Sequence, residues 1–244
     1  MSQPLIIAFR GASRQAPENT VQSIKLAAEA HADIVALEVQ GTKDDVPIVL
    51  ADTKLDRTTN GTGRPTQLTL KEIQALDAGA WFGEKFKGAK IPTLEEGLEA
   101  LGAKAHLMLD LSNVRPELPL AEKVAANLKT RKKPSEDWLV FNDSDSLKAF
   151  RDKLPSFNCL LVLGEKIEGW VCIEKAARLG LKGVRPYRAQ IDAGLVRRAQ
   201  AKQLKVFAFH TDEEDEMKKL AEIRVDGIVT GHPERLKEVL KSLA

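Results

Sequence analysis

Cysteine, tyrosine and long apolar runs are scarce in this chain: 2 cysteines and 1 tyrosine occur among 244 residues, and aromatics make up 5% of the total. Cys159 lies in Cys-Leu-Leu-Val-Leu and Cys172 in Trp-Val-Cys-Ile, so both read as small buried hydrophobes, and no disulfide is expected. No apolar run approaches the roughly 20 residues that cross a bilayer, so no membrane span is expected. The opening Met-Ser-Gln-Pro has neither the charged nor the greasy region of a signal peptide, which points to a cytoplasmic protein. An excess of one charge is missing too. The 37 basic and 35 acidic residues leave a net charge of +2, which argues against an extended basic surface for nucleic acid. Linkers, repeats and low-complexity tracts are absent, and 43% hydrophobic residues supply one full core, so residues 1–244 are expected to form one domain.

What the chain does contain is alternation. Eight short apolar runs read as strands: Leu5 to Ala8, Ile34 to Val39, Leu107 to Leu111, Trp138 to Phe141, Leu160 to Leu163, Gly183 to Arg185, Lys205 to Phe209 and Gly227 to Thr230. Helical patterns separate them, from Thr20 to His31 through to Pro233 to Leu243. Strand then helix, repeated eight times, predicts an α/β protein of the closed (β/α)8 TIM-barrel type, with an open doubly wound sheet as the competitor. A small insertion follows the second strand, over about residues 43–92. In it Pro47 to Asp52 reads as an extra extended piece, and Thr58-Thr59-Asn60-Gly61-Thr62-Gly63 as turns. Such an irregular excursion is expected to serve a site.

Phe9-Arg10-Gly11-Ala12-Ser13 followed by Ala16-Pro17-Glu18-Asn19-Thr20 resembles the opening of the glycerophosphodiester phosphodiesterase family, His-Arg-Gly-Ala then Ala-Pro-Glu-Asn-Thr. Further matches run along nearly the whole chain: Thr42-Lys43-Asp44, Leu55 to Gly63, Leu76 to Phe82, Ile91 to Glu96 and Val225 to Thr230. The resemblance implies a TIM barrel that cleaves glycerophosphodiesters to glycerol 3-phosphate and an alcohol. It also implies two proton-shuttling histidines, and carboxylates that hold a divalent cation.

Against that pattern the chain carries Phe9 in place of the first histidine. Leu50-Ala51-Asp52 stands where the second is expected. The family's Glu-x-Asp is matched by Ala36-Leu37-Glu38, its Asn-x-Glu-x-Lys by Met108-Leu109-Asp110-Leu111-Ser112, its Ser-Ser-Phe by Phe141-Asn142-Asp143, and its Trp-Thr-Val-Asn by Phe209-His210-Thr211-Asp212. These departures fall at strand C-terminal ends, where barrel enzymes place their sites. They lead to the expectation of a repurposed pocket, divergent or engineered, that has lost phosphodiesterase activity. The pocket is expected to be largely apolar, to use no cofactor and to perform metal-free acid–base chemistry on a small molecule. Asp110, Glu38 and His210 are the candidate catalytic groups, a carboxylate stripped of metal and water having a raised pKa and serving as general base. Phe9, Met108, Phe141, Ser112, Arg10 and Arg185 are the candidate substrate contacts, with Asp212, His210 and Ser112 matching a hydrolytic triad in composition. Two alternatives stand beside this reading. One is a non-catalytic phosphoester binder using Arg10 and Arg185; the other is residual hydrolysis with Mg or Ca at Glu38 and Asp110.

Overall fold

Strands covered on both faces read as near-continuous apolar runs, which is why these segments lack polar alternation. The computed structural model describes residues 3–243. In chain order these form β1 (Leu5–Phe9), α1 (Val21–Glu29), β2 (Ile34–Gly41), β3 (Pro47–Val49), α2 (Leu70–Ala75), α3 (Leu94–Leu101), β4 (His106–Asp110), α4 (Pro119–Leu128) and β5 (Trp138–Phe141). There follow α5 (Ser144–Lys153), β6 (Asn158–Leu161), α6 (Gly169–Arg178), β7 (Gly183–Val184), α7 (Ala193–Ala201), β8 (Lys205–Ala208), α8 (Glu214–Glu222), β9 (Gly227–Thr230) and α9 (Pro233–Ser242). The sheet runs β1-β9-β8-β7-β6-β5-β4-β2, and pairing of β1 with β2 closes it into the expected eight-stranded parallel barrel. β3 pairs antiparallel with the far end of β2, so the extra extended piece is real and lies outside the barrel.

Successive side chains on a strand point to opposite faces, and this period of two divides the core. Ile7, Ile34, Met108, Trp138, Val140, Leu160, Phe207 and Val229 fill the barrel interior. Their neighbours, among them Val35, Leu107, Leu139, Phe141, Cys159, Val206 and Ile228, pack outward under the helices. Position 183 in β7 takes glycine for a steric reason: a Cβ there would stand 2.9 Å from the rings of both Phe207 and Trp138, which occupy that part of the interior. Both cysteines are free and buried, as expected, and burial pushes the Cys159 thiol up to about 11.

Several family-like motifs turn out to be architectural. Thr20, Thr69 and Thr93 form capping boxes at the starts of α1, α2 and α3. In the insertion, Asp77 accepts from the backbone N–H groups of Gly79, Ala80 and Gly88. A Cβ on Gly79 would run into the Phe86 carbonyl. The insertion has its own apolar cluster of Ile48, Leu50, Leu55, Ile73, Ala78 and Ile91. Among the described residues, no helix is long and apolar enough to cross a membrane.

Candidate active site

Parallel strands of a barrel all deliver their C-terminal ends to one face. Glu38 and Asp110 are register partners on β2 and β4, so their carboxylates leave the sheet side by side. A cavity of about 70 Å³ opens there, lined by Phe9, Ala36, Leu37, Glu38, Met108, Asp110, Val140, Arg185, Phe209 and Val229. A larger hollow of about 460 Å³ lies at the opposite end of the barrel, against Leu98, Gly102, Ala105, His106 and Arg131, away from these groups.

Each carboxylate faces an arginine. Arg10 grips Glu38 in a fork, Nε lying 2.9 Å from both carboxylate oxygens and Nη2 2.8 Å from Oε1. Its Nη1 reaches Glu18 at 2.8 Å, and Arg57 continues the chain, binding Glu18 on one side and Asp52 on the other. Arg185 holds Asp110 more loosely, at 3.4 Å. Two aromatic rings carry the guanidinium groups: Arg10 lies 4.4 Å from the centroid of Phe9, and Arg185 4.3 Å from that of Phe209. The rings themselves meet edge to face at 4.9 Å. Such stacking fixes arginine without consuming its hydrogen-bond donors.

Backbone geometry places these groups. Arg10 and Gly11 both adopt left-handed backbone, and a Cβ on Gly11 would sit 2.5 Å from the Ser23 carbonyl carbon of α1. Asn19, also left-handed, donates its amide to Glu38 at 3.0 Å. Burial pushes the Glu38 pKa up, opposed by Arg10 and Asn19, and burial pulls that of Arg185 down, opposed by Asp110 and Glu38.

The structure brings together Glu38, Asp110, Arg10, Arg185, Phe9 and Met108. It separates others. Phe141 is fully buried between the sheet and α5, its ring 5.6 Å from that of Phe150, because the period of two turns Val140 inward instead. Ser112 meets the cluster through its backbone N–H, which Asp110 accepts at 3.0 Å. Asp212 is taken by Arg14, Thr230 and the Gly231 N–H. Among the described residues no hydrogen bond joins His210 to Asp212 or Ser112, so the triad does not form. Lys43 is exposed on the surface. His210 does reach the mouth: its ring centroid lies 4.9 Å from that of Phe9. Glu18, Asn19, Asp52 and Arg57 were missed as site residues, although the first two lie within the Ala-Pro-Glu-Asn-Thr match.

A divalent cation fits this donor set. Among the described residues no group of three or more His, Cys, Asp or Glu forms a ready cage. Glu38 and Asp110 nevertheless offer adjacent hard oxygens, and the buried Oδ1 of Asn19, beside Glu38, has no hydrogen-bond partner. Magnesium in particular needs few carboxylates, keeping several waters and taking phosphate oxygens.

Residues 10–235 match the model of the glycerophosphoryl diester phosphodiesterase family. A glycerophosphodiester phosphodiesterase from Caldanaerobacter subterraneus subsp. tengcongensis is 34% identical, covering 97% of this chain and 98% of its own length. Another from Bacillus subtilis is 31% identical, over 97% and 86%. An Oleispira antarctica phosphodiesterase, solved in complex with the product sn-glycerol-3-phosphate, superposes with a TM-score of 0.88. It is 26% identical, over 98% of this chain and 97% of that one. The chain belongs to the glycerophosphoryl diester phosphodiesterase family. Full-length similarity to enzymes of this name overturns the expectation of lost phosphodiesterase activity. The metal-free acid–base pocket, the engineered origin and the non-catalytic alternative lose their basis with it. The expectation of no cofactor falls as well, because the family is generally dependent on calcium or magnesium.

Proposed function

We propose that this member of the family hydrolyses a glycerophosphodiester in a divalent-cation-dependent reaction, releasing sn-glycerol 3-phosphate and an alcohol. The observation that carries this reading is the in-register pair Glu38–Asp110 at the barrel mouth, each carboxylate facing an arginine held on an aromatic ring. Glu38 and Asp110 would hold the cation, with Asn19 Oδ1 and water completing its oxygen shell. The chemistry such a cation supplies when bound is neutralisation of charge on the phosphoryl oxygens.

The remaining work falls to the chain's own groups. Arg185 makes the weaker ion pair, so its fork is the more readily transferred to a phosphate, which it can bind in bidentate fashion. Arg10 is fixed by Glu38 and Glu18 and presents positive charge beside it. Phe9, Met108 and Phe209 exclude water around the phosphate, and in that drier surrounding each charged hydrogen bond counts for more. The departures from the family motifs at Phe9, Ala36 and Ala51 then alter how protons and cation are handled, on a retained phosphodiesterase site. Two free, buried cysteines suit a cytoplasmic setting, which belongs to the same proposal.

Incubation with glycerophosphocholine and Mg²⁺ or Ca²⁺, followed by enzymatic detection of the products, tests the reading. Formation of sn-glycerol 3-phosphate and choline is the expected result. Release of phosphocholine would place cleavage on the wrong side of phosphorus and refute it.

A further inference from the structure

We infer that His210 is the proton-transfer residue of this site, taking the proton from the water that attacks phosphorus. The inference rests on the phosphodiesterase reading above and adds to it a residue outside the carboxylate–arginine cluster.

Hydrolysis of a phosphodiester needs a group that changes protonation state. The four carboxylates at the mouth are already engaged, since Glu38, Asp110, Glu18 and Asp52 each form an ion pair with an arginine. Three of the four histidines are elsewhere or engaged. His31 is exposed beyond the end of α1, His106 bonds Glu136 at 2.8 Å at the start of β4, and His232 meets Glu234 at 3.2 Å. His210 alone stands at the mouth, half-buried. Among the described residues neither of its ring nitrogens has a hydrogen-bond partner.

Its backbone, by contrast, is pinned. The carbonyl of His210 accepts from Arg188 at 3.0 Å, the N–H of Thr211 donates to Val229 at 3.1 Å, and Phe209 bridges to Tyr187. The ring packs at a 31° tilt against Phe9, 4.9 Å between centroids, and 5.2 Å from Phe209. Those two rings are the ones that carry Arg10 and Arg185. A fixed backbone, an aromatic seat shared with the phosphate-binding arginines and two uncommitted nitrogens describe a proton carrier held ready beside the phosphate. The charged groups around it are Asp212 on one side and Arg188, Arg14 and Arg10 on the other, and burial together with the arginines favours the neutral ring, the form that accepts a proton.

In the step, neutral His210 takes the proton of an attacking water as its oxygen bonds to phosphorus. The bond from phosphorus to the alcohol oxygen breaks, and that oxygen is protonated from solvent. The imidazolium then returns its proton to solvent, leaving one phosphomonoester and one alcohol for each water consumed.

The test follows glycerophosphocholine hydrolysis at saturating Mg²⁺ over a pH series in wild type, His210→Gln and His210→Ala. Wild type is expected to lose kcat/KM on the acid side, as the imidazole protonates. His210→Gln should lose roughly 10²–10⁴-fold in kcat, the usual worth of a general acid–base residue, with little change in KM and without the acid limb. Added imidazole should restore part of the rate to His210→Ala, and so should Phe9→His in that background, since it places a second imidazole at the adjoining ring. If His210→Gln unfolds, imidazole rescue of His210→Ala decides the matter. A His210→Gln enzyme within about threefold of wild-type kcat, or an alanine variant indifferent to imidazole, overturns the inference. An inactive wild type would instead refute the phosphodiesterase reading beneath it.

Discussion

Arg10 and Gly11 hold left-handed backbone at φ 58° and 79°, and the close approach of α1 behind them leaves no room for a side chain at position 11. Gly11→Ala should therefore destabilise by more than about 1 kcal/mol, whereas the same change at a compatible glycine would stabilise, measured by urea unfolding; unchanged stability would show that the turn can relax. The Arg10-Gly11 pair thus has a steric cause as well as a chemical one. His210 carries a second prediction at this scale. Burial lowers its pKa, with Arg188, Arg14 and Arg10 assisting and Asp212 opposing. The folded chain then binds that proton less tightly than the unfolded chain. Stability is lost as pH falls from the ordinary imidazole pKa to the lower folded value, and is unaffected above that window. Urea midpoints of wild type and His210→Gln should converge in shape only above it. Parallel curves throughout would mean that the ring titrates as it does in water. That His210 reaches the mouth was not legible from strand alternation, which sets Phe209 and His210 on opposite faces. β8 ends at Ala208, and past a strand's end the period of two no longer holds, so both rings meet Phe9. Applied within β5, the same period excludes Phe141.

At the scale of the element, three aspartates stand immediately before strands and tie the barrel's closed end. Asp33, before β2, accepts the Ile6 N–H; Asp137, before β5, accepts that of Leu107; and Asp226, before β9, accepts that of Val206. Asp137 is fully buried and also paired with Arg131 at 2.7 Å. Removing one partner of a buried pair strands the other charge, so Asp137→Ala should cost about 3–5 kcal/mol in equilibrium unfolding without touching the active-site face. Thr93→Ala, which removes the hydroxyl that caps α3, should cost about 1 kcal/mol. A neutral result for Asp137→Ala would mean that Arg131 finds solvent when its partner goes. Most element bounds were readable from the sequence within two residues, because a strand packed on both faces and a helix packed on one leave different periods. The tie between elements was not readable: Asp33, Asp137 and Asp226 look like ordinary polar residues in loops until the register places each beside a neighbour's free N–H.

Across the whole molecule, the barrel's two ends divide the labour. The closed end carries the three aspartates and the hollow near His106, while the open end carries the carboxylates, the arginines and the insertion that supplies Asp52 and Arg57. The family and the barrel could be read from motifs spread along the chain, since capping threonines, turn glycines and Asp77 must stay where the backbone needs them. Loss of activity, inferred from single letters at strand ends, did not stand. A missing motif residue reports that one position changed; it carries no information about an imidazole, a carboxylate or a guanidinium that another strand brings to the same place. Glu38 and Asp110 come together only through the β2–β4 register, and Asn19 joins them from the loop before α1.

The most direct test of that joint site is the rate of glycerophosphocholine hydrolysis across a Mg²⁺ and Ca²⁺ titration, run side by side on wild type, Glu38→Gln and Asp110→Asn, each checked for folding by circular dichroism. A saturable dependence on cation in the wild type, abolished by chelator and lost or shifted to far higher cation concentration in both folded variants, is the predicted result. Turnover that ignores the cation, or that survives both substitutions at the same cation dependence, would contradict it.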